Sequence, residues 1–295
     1  MHYFPIVDFM KLSLYKFSNK YFSKIGNPSS SSGFTLIELL AAISLTTIVV
    51  GAAGFGVVTI MNANAESETK TQRRVELNRA LDYIAEDIRR AKTATDDPNT
   101  LTTDWSWDSN LGAVSASPTP KLYLEIPLSV ESVSKNDDTI TIPNHGFSSG
   151  NAVMFTKDGT VVSLDSKNKV YYVVMDKAAG TDRDHFQVAT SLTNAKNDTE
   201  IDLTANSSGN LTANQLLIYY IRNNTGTWLD PQTINRSAGS CSLSANCSVL
   251  VDAIAKNGFT TSVTSEKRVG LNLTGKLEDD LYEVNTKAFA RSANP

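Results

Sequence analysis

From Phe34 to Met61 the chain places apolar or small residues at nearly every position, with Glu38 the single charge before Glu66. At about 1.5 Å of rise per residue, a helix of that length crosses the hydrocarbon of a bilayer. Beyond the run the pattern becomes amphipathic. Leu77, Leu81, Ile84, Ile88 and Ala91 recur at helical spacing, and Glu76, Asp82, Glu86, Arg89 and Arg90 fall on other faces. One helix over 34–94 accounts for both halves, ending before Asp96-Asp97-Pro98. Its first part, 34–61, suits a membrane, and its second part suits packing on a sheet. Glu86 precedes Arg90 by four, the favourable order for a helix ion pair.

After a polar stretch holding Trp105 and Trp107, the period shortens to that of strands. Residues 121–128 and 215–222 read as two strands, and apolar runs at 249–251, 267–273 and 282–290 add to an antiparallel set. A helix followed by strands predicts an α+β chain, with a long N-terminal helix packed on an antiparallel β head over 95–130 and 214–295. Between the two halves of the head, residues 139–142, 152–156, 170–176, 185–189 and 200–203 carry further strand signals separated by Gly, Asn, Asp and Ser. Removing 131–213 would join the flanking strands as a hairpin, so this segment is expected to be an all-β module inserted at a hairpin tip, where insertions are best tolerated.

Charge sets the orientation of the apolar helix. The first 33 residues carry Lys11, Lys16, Lys20 and Lys24 against Asp8 alone. A positively charged flank stays in the cytoplasm, so the C-terminal part faces outward. The polar stretch Asn27-Pro28 through Gly33 precedes the apolar run, whereas a secretory signal puts small cleavage-site residues after it. A cut before the run would leave the helix as the new N-terminus and change the net charge from −4 to about −7. Glu38 within hydrocarbon costs about 2.5–3.5 kcal/mol on insertion scales. An amine on Phe34, four residues back on the same helix face, would offset that cost. An anchor whose Glu38 lies at the membrane interface is the plainer alternative.

The residues Gly33-Phe34-Thr35-Leu36-Ile37-Glu38-Leu39-Leu40, between a basic leader and an apolar helix, resemble the type IV prepilin processing motif at every position. The resemblance implies cleavage between Gly33 and Phe34 by a membrane prepilin peptidase, N-methylation of Phe34, and Glu38 as the acid that sets register during filament assembly. The segment from Leu77 to Ala91 resembles the corresponding helix of minor pilins and of J-type pseudopilins from type II secretion systems. Residues 138–153, with Tyr171-Tyr172-Val173-Val174 and Ala189-Thr190-Ser191, resemble a β-repeat module of large bacterial surface and adhesin-like proteins. That resemblance implies a role in attachment, with a spacer as the alternative.

Little else in the chain suggests chemistry. His2 lies in the leader, and His145 and His185 fall at turn or strand-start positions with no metal or catalytic spacing. Asp182 and Asp184 read as turn residues before they read as calcium ligands. Cys241 and Cys247 sit close together on the outward side, where an oxidising compartment favours a bridge over two free thiols. Closing so short a loop removes chain entropy worth roughly 2 kcal/mol. The clustered Lys and Arg of a nucleic-acid grip are missing.

The expectation is a non-enzymatic, cofactor-free minor pilin-like subunit, with a J-type pseudopilin as the alternative. The resemblance implies storage in the inner membrane with the head outside the cytoplasm, then assembly into a pilus or pseudopilus. The partners it implies are other pilins through the N-terminal helix, the prepilin peptidase, an inner-membrane assembly platform and a surface ligand for the inserted module.

Overall fold

The computed structural model describes residues 34–101, 118–157, 164, 169–175, 183–208, 211–224, 226–239, 247–265 and 267–291. The leader 1–33, Trp105, Trp107, Asp182 and Cys241 lie outside the described residues. The chain divides into two compact units, one ending at Ala65 and the other running from Glu66 to Pro295.

Helix α1 spans Leu36–Arg90. In the first unit its side chains are exposed, and an 18-residue window reaches a mean hydropathy of 2.1 with none of it buried. The hydroxyls in this stretch are satisfied within the helix. Ser44, Thr46, Thr47 and Thr59 each donate to the carbonyl four residues back, at 2.7–2.9 Å. Polar side chains in an apolar run therefore leave no donor in need of water.

In the second unit α1 buries Leu77, Leu81, Ile84 and Ile88, with Ala80 and Ala85 letting the backbone approach the sheet. The helix ends at Arg90 and not at 94, because the chain is captured by a strand. β1 (Thr93–Thr95) pairs antiparallel with β2 (Thr119–Ser129), and Lys92 N–H donates to Glu125 O at 2.7 Å. Two β-branched threonines on a free sheet edge outweigh one more helical turn. The expected Glu86–Arg90 pair does not form. Arg89 reaches Glu86 at 3.3 Å, and Arg90 stands 3.9 Å from Asp87.

A large antiparallel sheet follows the helix, so the described chain is mostly β and not the expected α+β. Its further strands are β3 (Ser132–Ser134), β4 (Thr139–Thr141), β5 (Ala152–Lys157), β6 (Val170–Val174), β7 (His185–Ala189), β8 (Ser207–Ser208), β9 (Leu211–Asn223), β10 (Gln232–Ser237), β11 (Cys247–Ser265), β12 (Arg268–Leu277) and β13 (Asp280–Phe289). The order is β13-β12-β11-β10-β9-β5-β6-β7-β4-β3-β8, with β2 on the other edge of β9. A short helix α2 (Leu192–Lys196) is capped by Ser191. Residues 200–203 form no strand. Ile201 makes one backbone bond to Val188, and Leu203 is held by Asp138 Oδ1.

β9 contributes to three cores of one sheet, one of them formed by Leu216, Ile218 and Tyr220 with Tyr123, Ala152 and Met154. It pairs with β2 from Thr212↔Ser129 to Ile221↔Thr119 on one edge. On the other edge, residues 218–223 pair with β10 and residues 211–215 with β5. The C-terminal half of β9 thus faces α1 through Leu217, Tyr219 and Ile221. Its N-terminal end joins Phe155, Tyr171, Val173, Phe186 and Val188 in a second core. Residues 130–210 leave from the end of β2 and return into β9, and from this segment β5 runs beside β9 residues 211–215, the same residues whose other edge pairs with β2; β9 starts at Leu211, ahead of the expected return at 214.

β10 carries no period-two signal, since Ile234 is its only apolar residue. Its buried polar groups are paired instead. Gln232 Nε2 donates to Asn223 Oδ1 at 3.0 Å and Gln232 Oε1 accepts Asn257 N–H at 2.9 Å, and Asn235 donates to Thr233 Oγ1 at 2.8 Å. β11 bends where its register slips between Ile254 and Phe259, with Ala253 and Asn257 at positive φ. Gly258 is required there, because a Cβ would stand 2.4 Å from Thr274 O.

Candidate processing and assembly site

Thr35 and Glu38 close the N-terminus of α1 on each other. Thr35 N–H and Thr35 Oγ1 both donate to Glu38 Oε2 at 3.1 Å, and Glu38 N–H donates to Thr35 Oγ1 at 3.4 Å. This is a capping box: the first helical residue is Leu36, so Glu38 occupies the third position, and its carboxylate also meets the positive end of the helix dipole. A carboxylate so bonded carries its own partners into an apolar environment. The sequence carries this signal as Thr35-x-x-Glu38. Phe34 is 87 % exposed, and Gly33 lies outside the described residues.

The second unit holds three polar clusters around α1. Asp87, 4 % exposed, accepts from Tyr219 Oη at 2.6 Å and from Arg236 Nε at 2.8 Å. Burial, reinforced by the neighbouring Asp87 carboxylate, pushes the Tyr219 hydroxyl well above its ordinary range. Burial opposes the charge on Arg236, yet Asp87 raises its pKa overall. Arg236 also lies over the ring of Tyr83, 5.8 Å from its centre. Sequence reading missed this cluster because Asp87 looks like one more acid on a charged helix face.

Arg73 is the first buried residue of the helix. It bonds Glu76 at 2.9 Å, Asp252 Oδ1 at 3.3 Å and Asp252 O. Asp252 Oδ2 in turn accepts Leu229 N–H at 3.0 Å. The loop it clamps presents Trp228 and Leu229 to solvent, and Asn224 braces it through Gly226 N, Trp228 N and O and Asp230 Oδ1. Lys70 bridges Glu66 at 2.5 Å and Asp280 at 2.9 Å. These contacts raise the Lys70 pKa, and the bond from Lys70 lowers that of Asp280.

In the inserted segment, His145 and Asp184 make local contacts. His145 Nδ1 accepts Phe147 N–H at 2.8 Å, and the rings of His145, Phe147 and Phe186 meet at 4.9–5.1 Å. Asp184 Oδ1 accepts Asn144 N–H at 2.7 Å, as a turn residue does. No group of three metal-ligating side chains occurs among the described residues. Cys247 opens β11, and no free cysteine occurs among the described residues.

Residues 28–54 match the family model described as the prokaryotic N-terminal methylation motif. The chain therefore begins as a type IV pilin-like or pseudopilin precursor does, with a processing motif leading into a long apolar helix. No curated protein matches this chain, and neither does any solved structure.

Proposed function

We propose that the chain is a minor type IV pilin-like structural subunit, with no enzymatic role. Prepilin peptidase cuts it between Gly33 and Phe34, Phe34 is N-methylated, and the subunit is extracted from the inner membrane into a pilus through Glu38. The observation that carries this reading is the methylation motif at the head of a 55-residue helix whose first part is wholly exposed and apolar. The capping box adds a mechanism. In the precursor, Thr35 satisfies the Glu38 carboxylate at the cost of no partner subunit. After cleavage a charged amine on Phe34, the subunit's own or a neighbour's, competes for the same carboxylate with the stronger charge-assisted bond. The J-type pseudopilin reading shares every one of these steps and differs in the filament that receives the subunit.

The bulk of residues 130–210, which would crowd a repeating shaft, supports a position at or near the tip and a role in attachment. Mass spectrometry of the mature N-terminus tests the processing claim, and any start other than methylated Phe34 refutes it. Labelling native filaments tests the tip position; regular spacing along the shaft refutes that. Replacing 131–210 by a short turn between β2 and β9 tests attachment, which fails as a proposal if adhesion is unchanged.

A further inference from the structure

β13 ends the sheet, and among the described residues only β12 pairs with it. The ladder runs unbroken from Arg268↔Phe289 to Leu277↔Asp280, with no proline and no bulge. A long, regular, uncovered edge is what folded proteins ordinarily avoid. Parity shows which groups it offers. Ala290 N–H donates to Lys267 O, so even-numbered residues of β13 turn their backbone groups toward β12. Odd-numbered residues turn theirs outward, and Arg291 N–H, bonding Ala91 O, agrees. The even side chains Tyr282, Val284 and Ala288 pack against the helix core. The odd ones, Leu281, Glu283, Asn285, Lys287 and Phe289, are all exposed.

Those five residues read Leu-Glu-Asn-Lys-Phe, and the order complements its own reverse. We propose that β13 pairs antiparallel with β13 of a second copy of this chain, about a two-fold axis at Asn285. Glu283 then faces Lys287 of the second copy, Lys287 faces its Glu283, and Leu281 faces Phe289. Each facing pair exchanges two backbone hydrogen bonds, because both members present outward N–H and C=O groups. Other two-fold registers fail on charge. A centre at Glu283 or Lys287 puts like charges on the axis, and a centre at Val284 or Thr286 leaves both charges unmatched.

The pairing has a direction. Lys70 meets Asp280 at one end of β13 and Ala91 meets Arg291 at the other, so the packed part of α1 runs the same way as the strand. Antiparallel strands therefore set the two packed helix segments antiparallel. Neighbours in one filament point the same way, so the contact joins subunits of two filaments or of two facing cells. This last step rests on the pilin reading; the pairing does not.

The test uses the full processed chain in mild detergent. Sedimentation equilibrium should show a monomer–dimer equilibrium that Glu283→Lys or Lys287→Glu each weakens by about tenfold or more. The double exchange Glu283→Lys with Lys287→Glu should restore it, and mixing the two single variants should give a heterodimer. Asn285→Cys should cross-link to a dimer on a non-reducing gel where the unaltered chain does not. A monomeric chain, or association equally strong in all charge variants, as contact through the apolar helix would give, overturns the pairing. In cells, Glu283→Lys should abolish tip-to-tip joining of filaments made in normal number. Unchanged joining overturns the contact between filaments and leaves the solution result to judge the strand pairing.

Discussion

Replacing Asp87 with alanine should be among the most damaging single changes in the head that leave its apolar core untouched. The carboxylate is 4 % exposed and accepts two short hydrogen bonds, from Tyr219 at 2.6 Å and Arg236 at 2.8 Å. Removing one partner of a buried ion pair typically costs about 3–5 kcal/mol, mostly because the other charge stays behind. Here the Arg236 side chain retains 20 % exposure and lies over Tyr83, so water takes up part of that charge. The orphaned Tyr219 hydroxyl adds about 1–2 kcal/mol. The expected loss is about 3–4 kcal/mol overall. Tyr219→Phe, which leaves the Asp87–Arg236 pair intact, should cost about 1–2 kcal/mol. Denaturant titration of the processed chain in mild detergent, followed by tryptophan fluorescence and circular dichroism, reads both. A loss below about 1 kcal/mol for Asp87→Ala, or equal losses for the two variants, would show that the cluster does not tie α1 to β9 and β10 as argued.

Three further outcomes follow from other contacts. Because burial and Asp87 raise the Tyr219 pKa, the unfolded chain loses that proton first as pH rises. The contribution is fully present below about pH 10 and declines above it, and Tyr219→Phe should flatten the alkaline limb of a stability–pH curve. Gly275→Ala would place a Cβ 2.8 Å from Leu77 Cδ1, and overpacking between α1 and β12 should cost about 1–3 kcal/mol by thermal melting. If Cys241 and Cys247 are bridged, alkylation without reductant should leave both unlabelled, and reduction should lower stability by roughly 2 kcal/mol; labelling of unreduced protein removes the bridge from the account.

Hydrophobic patterning made the helix and most of the long strands legible. Burial on one face repeats at the period of the element, as at Leu77, Leu81, Ile84 and Ile88 of the helix or Val269, Leu271 and Leu273 of β12. β10 was not legible, because Gln232, Asn235 and Ser237 are buried by virtue of specific partners and leave no periodic trace. The helix terminus was misjudged for a related reason. Residues 91–94 continue the helical pattern, and only the free edge of β2 makes a strand the better use of them. At the N-terminus, Gly33, Phe34 and Glu38 stood out by motif alone, while the bonds from Thr35 to Glu38 needed coordinates to be weighed against an amine partner.

By itself the sequence determined the local facts: an apolar segment long enough to cross a membrane, a processing motif ahead of it, and a strand-rich region after it. These depend on neighbouring residues and on the period of one element. Tertiary structure decided the non-local ones. It made β9 the shared strand of three cores, selected Asp87 from several helix acids as the one to bury, and left β13 open among the described residues with a self-complementary row of side chains. Which edge meets which, and which charge is shut away from water, depends on segments far apart in the chain.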